Sequence, residues 1–188
     1  MKNFKSIALA IVAFVSFATT AQTSKKVDAS KSTINWVGKK VTGSHEGTIT
    51  LKEGTLIFKG KKLVGGNFTV DMTTINTTDL EGKGKANLDG HLKSDDFFGV
   101  EKFPTATLVI KSLGEKGNGV YAVTADLTIK GKTESIKFDL AVAANSATTT
   151  LKVDRTKYDI KYGSGSFFSD LGDKTIYDDF DLTVKLAF

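Results

Sequence analysis

Tyr121-Ala122-Val123-Thr124-Ala125-Asp126-Leu127-Thr128-Ile129-Lys130 places apolar residues at odd positions and mostly polar ones at even positions. Successive side chains of an extended chain point to opposite faces, so this alternation marks a strand with one buried and one wet face. Gly131 and its neighbours turn the chain, and Ile136, Phe138, Leu140 and Val142 carry the apolar face of a returning strand. Working outward from this hairpin, the same pattern appears upstream at Ile34 and Trp36, at Ile49 and Leu51, at Phe68, Val70 and Met72, and at Ala106, Leu108 and Ile110. Downstream it returns at Leu151 and Val153 and from Phe180 through Leu182, Val184 and Leu186 to Phe188. Turn chemistry is expected at Lys52-Glu53-Gly54, Gly65-Gly66, Gly114 to Gly119, Asn145-Ser146 and Gly163-Ser164-Gly165.

Strands this numerous, eight or nine by this reading, with short turns and no helical periodicity between them, are antiparallel. They must close a barrel or stack as a sandwich. The last strand is apolar to its end and would be an aggregation-prone edge unless paired on both sides, which favours a closed all-β barrel. One segment interrupts the pattern. From Asn76 to Pro104 there is no alternation, and Ser94-Asp95-Asp96 predicts a helix N-cap with acidic residues in the first turn. Pro104 stops whatever precedes the next strand. Leu88, Leu92, Phe97, Phe98 and Phe103 make this insert apolar, so it is expected to pack at the barrel mouth.

The N-terminus opens with Lys2 and Lys5, followed by an apolar run from Ile7 to Ala18, the pattern of a secretory signal peptide. The run is shorter than the roughly 20 residues that span a bilayer, and Thr19-Thr20-Ala21 suits cleavage after Ala21. Residues 1–21 are therefore read as a leader and residues 22–188 as one barrel domain, periplasmic or secreted. The whole chain carries a net charge of +5, and loss of Lys2 and Lys5 brings the remainder to about +3. Lysines dispersed over turns, with no run interleaved with aromatics, argue against a nucleic-acid partner.

Catalytic chemistry finds few candidates. The chain has two histidines, His45 and His91, no cysteine, and no Gly-x-Ser-x-Gly. A metal would require both histidines to converge with a carboxylate such as Asp71 or Asp79, and none is expected. Gly163-Ser164-Gly165-Ser166 reads as a flexible turn before a phosphate cradle, because Phe167-Phe168 follow where a helix would be needed. Arg155, the one arginine, is suited to a buried pair with either a protein carboxylate or a ligand head group.

Several separated blocks occur in order: Gly90-His91-Leu92-Lys93-Ser94-Asp95-Asp96-Phe97-Phe98, Phe103-Pro104-Thr105-Ala106, Asp126 to Thr133, Asp154-Arg155-Thr156, Tyr162 to Ser166, and Leu171-Gly172-Asp173. Together they make the chain, from about Lys26 to Phe188, resemble the YceI-like family of polyisoprenoid-binding, lipocalin-like proteins of bacterial export compartments. The resemblance implies an extended eight-stranded antiparallel lipocalin-like barrel with a short helical insert. It also implies a bound polyisoprenoid lipid or isoprenoid quinone, with no obligatory cofactor, no catalytic residues and transient contact with a membrane. Trp36-containing sequence lacks the Gly-x-Trp of ordinary lipocalins, and His45-Glu46-Gly47 marks one branch of the family.

An eight-stranded barrel is just wide enough to hold one ligand. The inward faces nominate Trp36, Phe68, Val70, Met72, Leu108, Leu127, Phe138 and Phe180 as its lining, and the insert adds Phe97 and Phe98. A one-residue error of register would move every strand position to the outer face. The competing expectation is an enzyme acting on a bound quinone or lipid, with His45 or His91 as acid or base.

Overall fold

The computed structural model describes residues 21–188; the apolar segment Ile7–Ala18 lies outside the described residues. Nine strands run in chain order: β1 (Gln22–Lys26), β2 (Thr33–Lys40), β3 (Gly43–Lys59), β4 (Lys62–Thr77), β5 (Thr105–Gly117), β6 (Val120–Ile129), β7 (Lys132–Val142), β8 (Ser146–Asp154) and β9 (Ile176–Ala187). One helix, α1 (Gly82–Lys93), lies between β4 and β5. Eight strands, β2 to β9, pair antiparallel with their chain neighbours, and β9 returns to β2 to close the barrel. β1 extends the wall: one flank of β3 pairs with β2 over Gly43–Ile49 and with β1 over Thr55–Lys59.

In β6 every odd residue of the quoted stretch, Tyr121, Val123, Ala125, Leu127 and Ile129, is buried. The turn that follows has Lys130 at φ 51° and Gly131 at φ 74°. That is the primed geometry whose twist matches the strands it joins, and glycine adopts it at no cost.

Two expected turns are instead strand interior. Gly54 lies within β3 and Gly65-Gly66 within β4, and the true turn between these strands is Gly60-Lys61. The glycines serve close approach. A Cβ on Gly54 would sit 2.7 Å from the Phe68 ring, and one on Gly66 would sit 2.9 Å from the Thr55 carbonyl oxygen.

The helical insert is present, but it ends where the sequence suggested that it begins. Ser94 is the C-cap of α1, its backbone N–H and hydroxyl both donating to the His91 carbonyl. Phe97 and Phe98 sit on tight turns that follow, closed by Phe97 and Gly99 N–H groups donating to the Ser94 carbonyl. α1 forms despite Gly82, Gly84 and Gly90 because tertiary bonds hold it. The Lys85 ammonium donates to the Asn76 side-chain oxygen and the Thr77 carbonyl, both at 2.6 Å, and to Asp89 one turn on at 2.9 Å. Asp89 in turn accepts the Thr77 N–H at 2.8 Å.

The interior divides into two clusters. At the packed end, Val27, Leu56, Phe58, Leu63, Tyr121 and Val123 fill the barrel. At the other end, Met72, Ile75, Phe97, Val153, Tyr158 and Ile160 surround an opening bordered by α1 and the loop from Asp159 to Thr175.

Candidate functional site

Between the clusters lies an apolar cavity of about 440 Å³ that opens at the α1 end. Strand register assembles its wall. Directly opposed residues share a face, and Trp36 opposes Leu182, Phe68 opposes Leu108, Leu108 opposes Leu127, and Val123 opposes Phe138. All ten positions nominated from sequence, Trp36, Phe68, Val70, Met72, Phe97, Phe98, Leu108, Leu127, Phe138 and Phe180, stand on this wall. Leu88 and Leu92 of α1, two of the apolar residues that led the insert to be expected at the mouth, also line the cavity, whereas Tyr162, Ile176 and Tyr177 on its lining were not among the nominated positions.

Gly47 shows how tightly the wall is built. A Cβ there would collide with the Asn76 carbonyl oxygen and would lie 2.5 Å from the Trp36 ring. The Gly47 of the His45-Glu46-Gly47 triplet is thus required by the indole beside it.

Aromatic rings stack around the mouth. His91, in the last turn of α1, meets Tyr162 edge-on at 4.5 Å and Phe97 at 5.3 Å. Phe97 meets Phe98 at 5.5 Å, and Phe98 meets Phe180 at 6.3 Å. The His91 Nε2 is buried and has no hydrogen-bond partner among the described residues. His45 is placed differently: its Nδ1 lies 2.9 Å from Asp79, which also accepts the Glu46 N–H, while the Thr78 N–H donates to the Glu46 carbonyl. Burial alone would raise the Asp79 carboxyl, but the His45 ring and the Glu46 N–H hold it below the usual carboxylate range. This clasp ties the β2–β3 hairpin to the segment leading into α1.

Arg155 is 2% exposed and is used structurally. Its guanidinium donates to the carbonyls of Ile160 at 2.8 Å, Ile176 at 3.0 Å and Tyr177 at 3.1 Å, stands 3.7 Å from Asp178, and covers the Phe97 ring at 5.4 Å. Burial would raise the Asp178 carboxyl, yet the hydroxyls of Ser164 and Ser166 and the Arg155 charge hold it low. The Gly163–Ser166 run is accordingly a fixed part of this knot and not a flexible turn. Ser164 is fully buried, and the Ile176 N–H donates to the Gly163 carbonyl.

Chemically, this arrangement suits a long apolar molecule with a small polar end: a mostly apolar wall along its length, with the charged and imidazole side chains His45, His91 and Arg155 of the α1 end among its lining. Among the described residues no three His, Asp or Glu side chains converge to hold a metal.

Solved structures share the fold. BcnA of Burkholderia cenocepacia superposes with a TM-score of 0.70 at 24% identity, covering 86% of this chain and 99% of that one. A polyisoprenoid binding domain from Saccharophagus degradans, implicated in plant cell wall breakdown, superposes with a TM-score of 0.59 at 16% identity, covering 86% of this chain and 95% of that one. In sequence, a UPF0312 protein of Shewanella denitrificans is 37% identical over 84 residues, 45% of this chain and 42% of that protein. A UPF0312 protein of Staphylococcus aureus is 43% identical over 67 residues, 36% of each chain. The matched segments thus span less than half the length of these relatives. The YceI-like domain, as a family, matches residues 26–188, nearly all of the described barrel, and the chain belongs to the YceI-like family.

Proposed function

We propose that the protein binds a long apolar amphiphile, a polyisoprenoid lipid or isoprenoid quinone, inside the barrel and serves as its carrier or reservoir in the periplasm or outside the cell. The observation that carries this reading is the apolar cavity of about 440 Å³, open at one end and edged there by polar groups. The Saccharophagus relative, described as a polyisoprenoid binding domain, supports the ligand class. Burying one five-carbon isoprene unit stabilises by roughly 4 kcal/mol at about 0.8 kcal/mol per carbon, so a few units outweigh the entropy of association. The leader-like segment Ile7–Ala18 supports export.

Tyr162, Phe167, Phe168 and Tyr177, each 48–51% exposed, flank the mouth, where aromatic side chains suit transient contact with a lipid surface that supplies the ligand. Binding is favoured over catalysis. His45 is engaged in the clasp with Asp79, and Arg155 is engaged by backbone carbonyls. Solvent extraction of natively purified protein followed by mass spectrometry tests the proposal: an isoprenoid lipid is expected. Recovery of no lipid, together with no uptake of added polyprenyl ligands, would overturn it.

A further inference from the structure

On five strands the inner face changes character between one inward residue and the next. Toward the mouth these residues are half-buried: Trp36 on β2, Ile49 on β3, Leu108 on β5, Phe138 on β7 and Val184 on β9. Two positions along each strand toward the packed end they are buried: Ile34, Leu51, Ile110, Leu140 and Leu186. Both sets line the cavity, whereas Val27, Leu56 and Leu63 of the packed cluster do not. The cavity therefore has a floor, and the second set borders it.

On β4 the floor is closed by Phe68, because the next inward position, Gly66, has no side chain. Phe68 is half-buried, and Asn67 and Thr69 take the outer face of the strand, so the surface it keeps is turned to the cavity. Two strand glycines seat this floor. A Cβ on Gly54 would lie 2.7 Å from the Phe68 ring and 3.3 Å from the Val27 Cβ, and one on Gly66 would lie 3.3 Å from the Ile110 Cδ1. The missing side chains let Phe68 settle against β3 and Ile110 against β4, and Phe68 stands between the cavity and Val27.

The depth above this floor follows from β9. Phe180, Leu182, Val184 and Leu186 all line the cavity, and the six steps from the first to the last make about 20 Å of strand at about 3.3 Å each. A strand tilt of about 40° leaves about 15 Å along the barrel axis. An extended isoprene unit adds four chain bonds, about 5 Å, so about three units lie within the wall. The space beside Leu88 and Leu92 of α1 takes about one more.

We infer that the cavity measures the length of its ligand: Phe68 and Ile110, each seated on a strand glycine, stop the tail so that about three to four isoprene units are enclosed. The inference rests on the ligand-binding reading above. A longer chain leaves outside the mouth units that a bilayer would have buried, and a shorter one leaves the floor without contacts.

The test exchanges the purified protein against excess phosphatidylcholine vesicles carrying equal amounts of geraniol, farnesol, geranylgeraniol, geranylfarnesol and solanesol, prenols of two, three, four, five and nine isoprene units. The prenols it retains are extracted and quantified by mass spectrometry. The native chain is expected to retain farnesol and geranylgeraniol about tenfold or more over solanesol, and to retain less geraniol than farnesol. Phe68→Ala removes a six-carbon ring, about the size of one five-carbon unit, and should raise geranylfarnesol several-fold relative to geranylgeraniol. Phe68→Leu should shift the profile the same way by less, and it keeps the test open if the alanine variant does not fold. Gly54→Ala drives the ring toward the cavity and should favour farnesol over geranylgeraniol. A thermal midpoint verifies that each variant is folded. One and the same length profile in the native chain and in the folded Phe68 and Gly54 variants overturns Phe68 as the stop. Solanesol retained by the native chain as well as geranylgeraniol overturns the measurement of length while ligand binding stands; if none of the five is retained, the ligand-binding reading fails with it.

Discussion

The two ends of the barrel handle polar groups in opposite ways. At the packed end, Leu56, Phe58, Leu63, Val123 and Ala125 fill the interior, and the one buried hydroxyl, that of Tyr121, accepts the Leu63 N–H at 3.2 Å. At the mouth, Arg155, Thr77 and Ser164 are buried, and the four buried side-chain atoms without a hydrogen-bond partner among the described residues, Thr77 Oγ1, His91 Nε2, Tyr158 OH and Asp178 Oδ1, lie on that side. The packed end is consistent at every level, from alternation to register to satisfied hydrogen bonds, and works as a foundation. The mouth instead combines buried polar groups with stacked aromatic rings around the opening of the cavity.

The sharpest way to break this contrast is to damage the foundation. Leu56→Ala, at a fully buried position, should lower unfolding stability by about 3 kcal/mol in denaturant titration while leaving ligand affinity per folded molecule unchanged. At the mouth, Arg155→Lys should cost about 2 kcal/mol, because one ammonium cannot reproduce a planar fork that serves three carbonyls. It should also weaken ligand retention, since the guanidinium lies over Phe97 on the cavity wall. Tyr121→Phe, which deprives the Leu63 N–H of its acceptor, should cost about 1 kcal/mol with no effect on binding.

A smaller effect follows from pH. Burial would raise the Asp89 carboxyl, but Lys85 and Thr77 hold it below the ordinary carboxylate value. A depressed folded-state value means that its contribution is fully present above about pH 4, the unfolded value, and is lost as pH falls through the lower folded value. Hydrogen exchange, corrected for intrinsic rates, should show α1 amides losing protection below about pH 4 while the β6–β7 hairpin keeps its own.

Much of this was legible in the sequence, for a physical reason. A strand has only two faces, so alternation from Tyr121 to Ile129 fixes which side chains point inward, and the same parity places Trp36, Phe68, Leu108 and Phe138 on the cavity wall. Glycine was harder to read, because it serves turns and close approaches alike. Gly54 and Gly66 looked like the first and are the second. α1 was obscured for a related reason. Three glycines depress its propensity, and the bonds that stabilise it join Lys85 and Asp89 to residues of β4, which local sequence does not display. Ser94-Asp95-Asp96 therefore read as a helix start when Ser94 closes the helix. The placement of His91 against Tyr162, far apart in sequence, depends on the loop after β8 and left no local signal.

The central claim, that the mouth is built for a ligand and the packed end for stability, is tested most directly by measuring lipid off-rate and denaturant midpoint on the same protein, Phe98→Ala. Its ring is half-buried on the cavity wall, between Phe97 and Phe180. The account predicts lipid release accelerated several-fold with only a small shift in midpoint. An unchanged off-rate, accompanied by the stability loss of about 3 to 5 kcal/mol expected of a core phenylalanine, would contradict it.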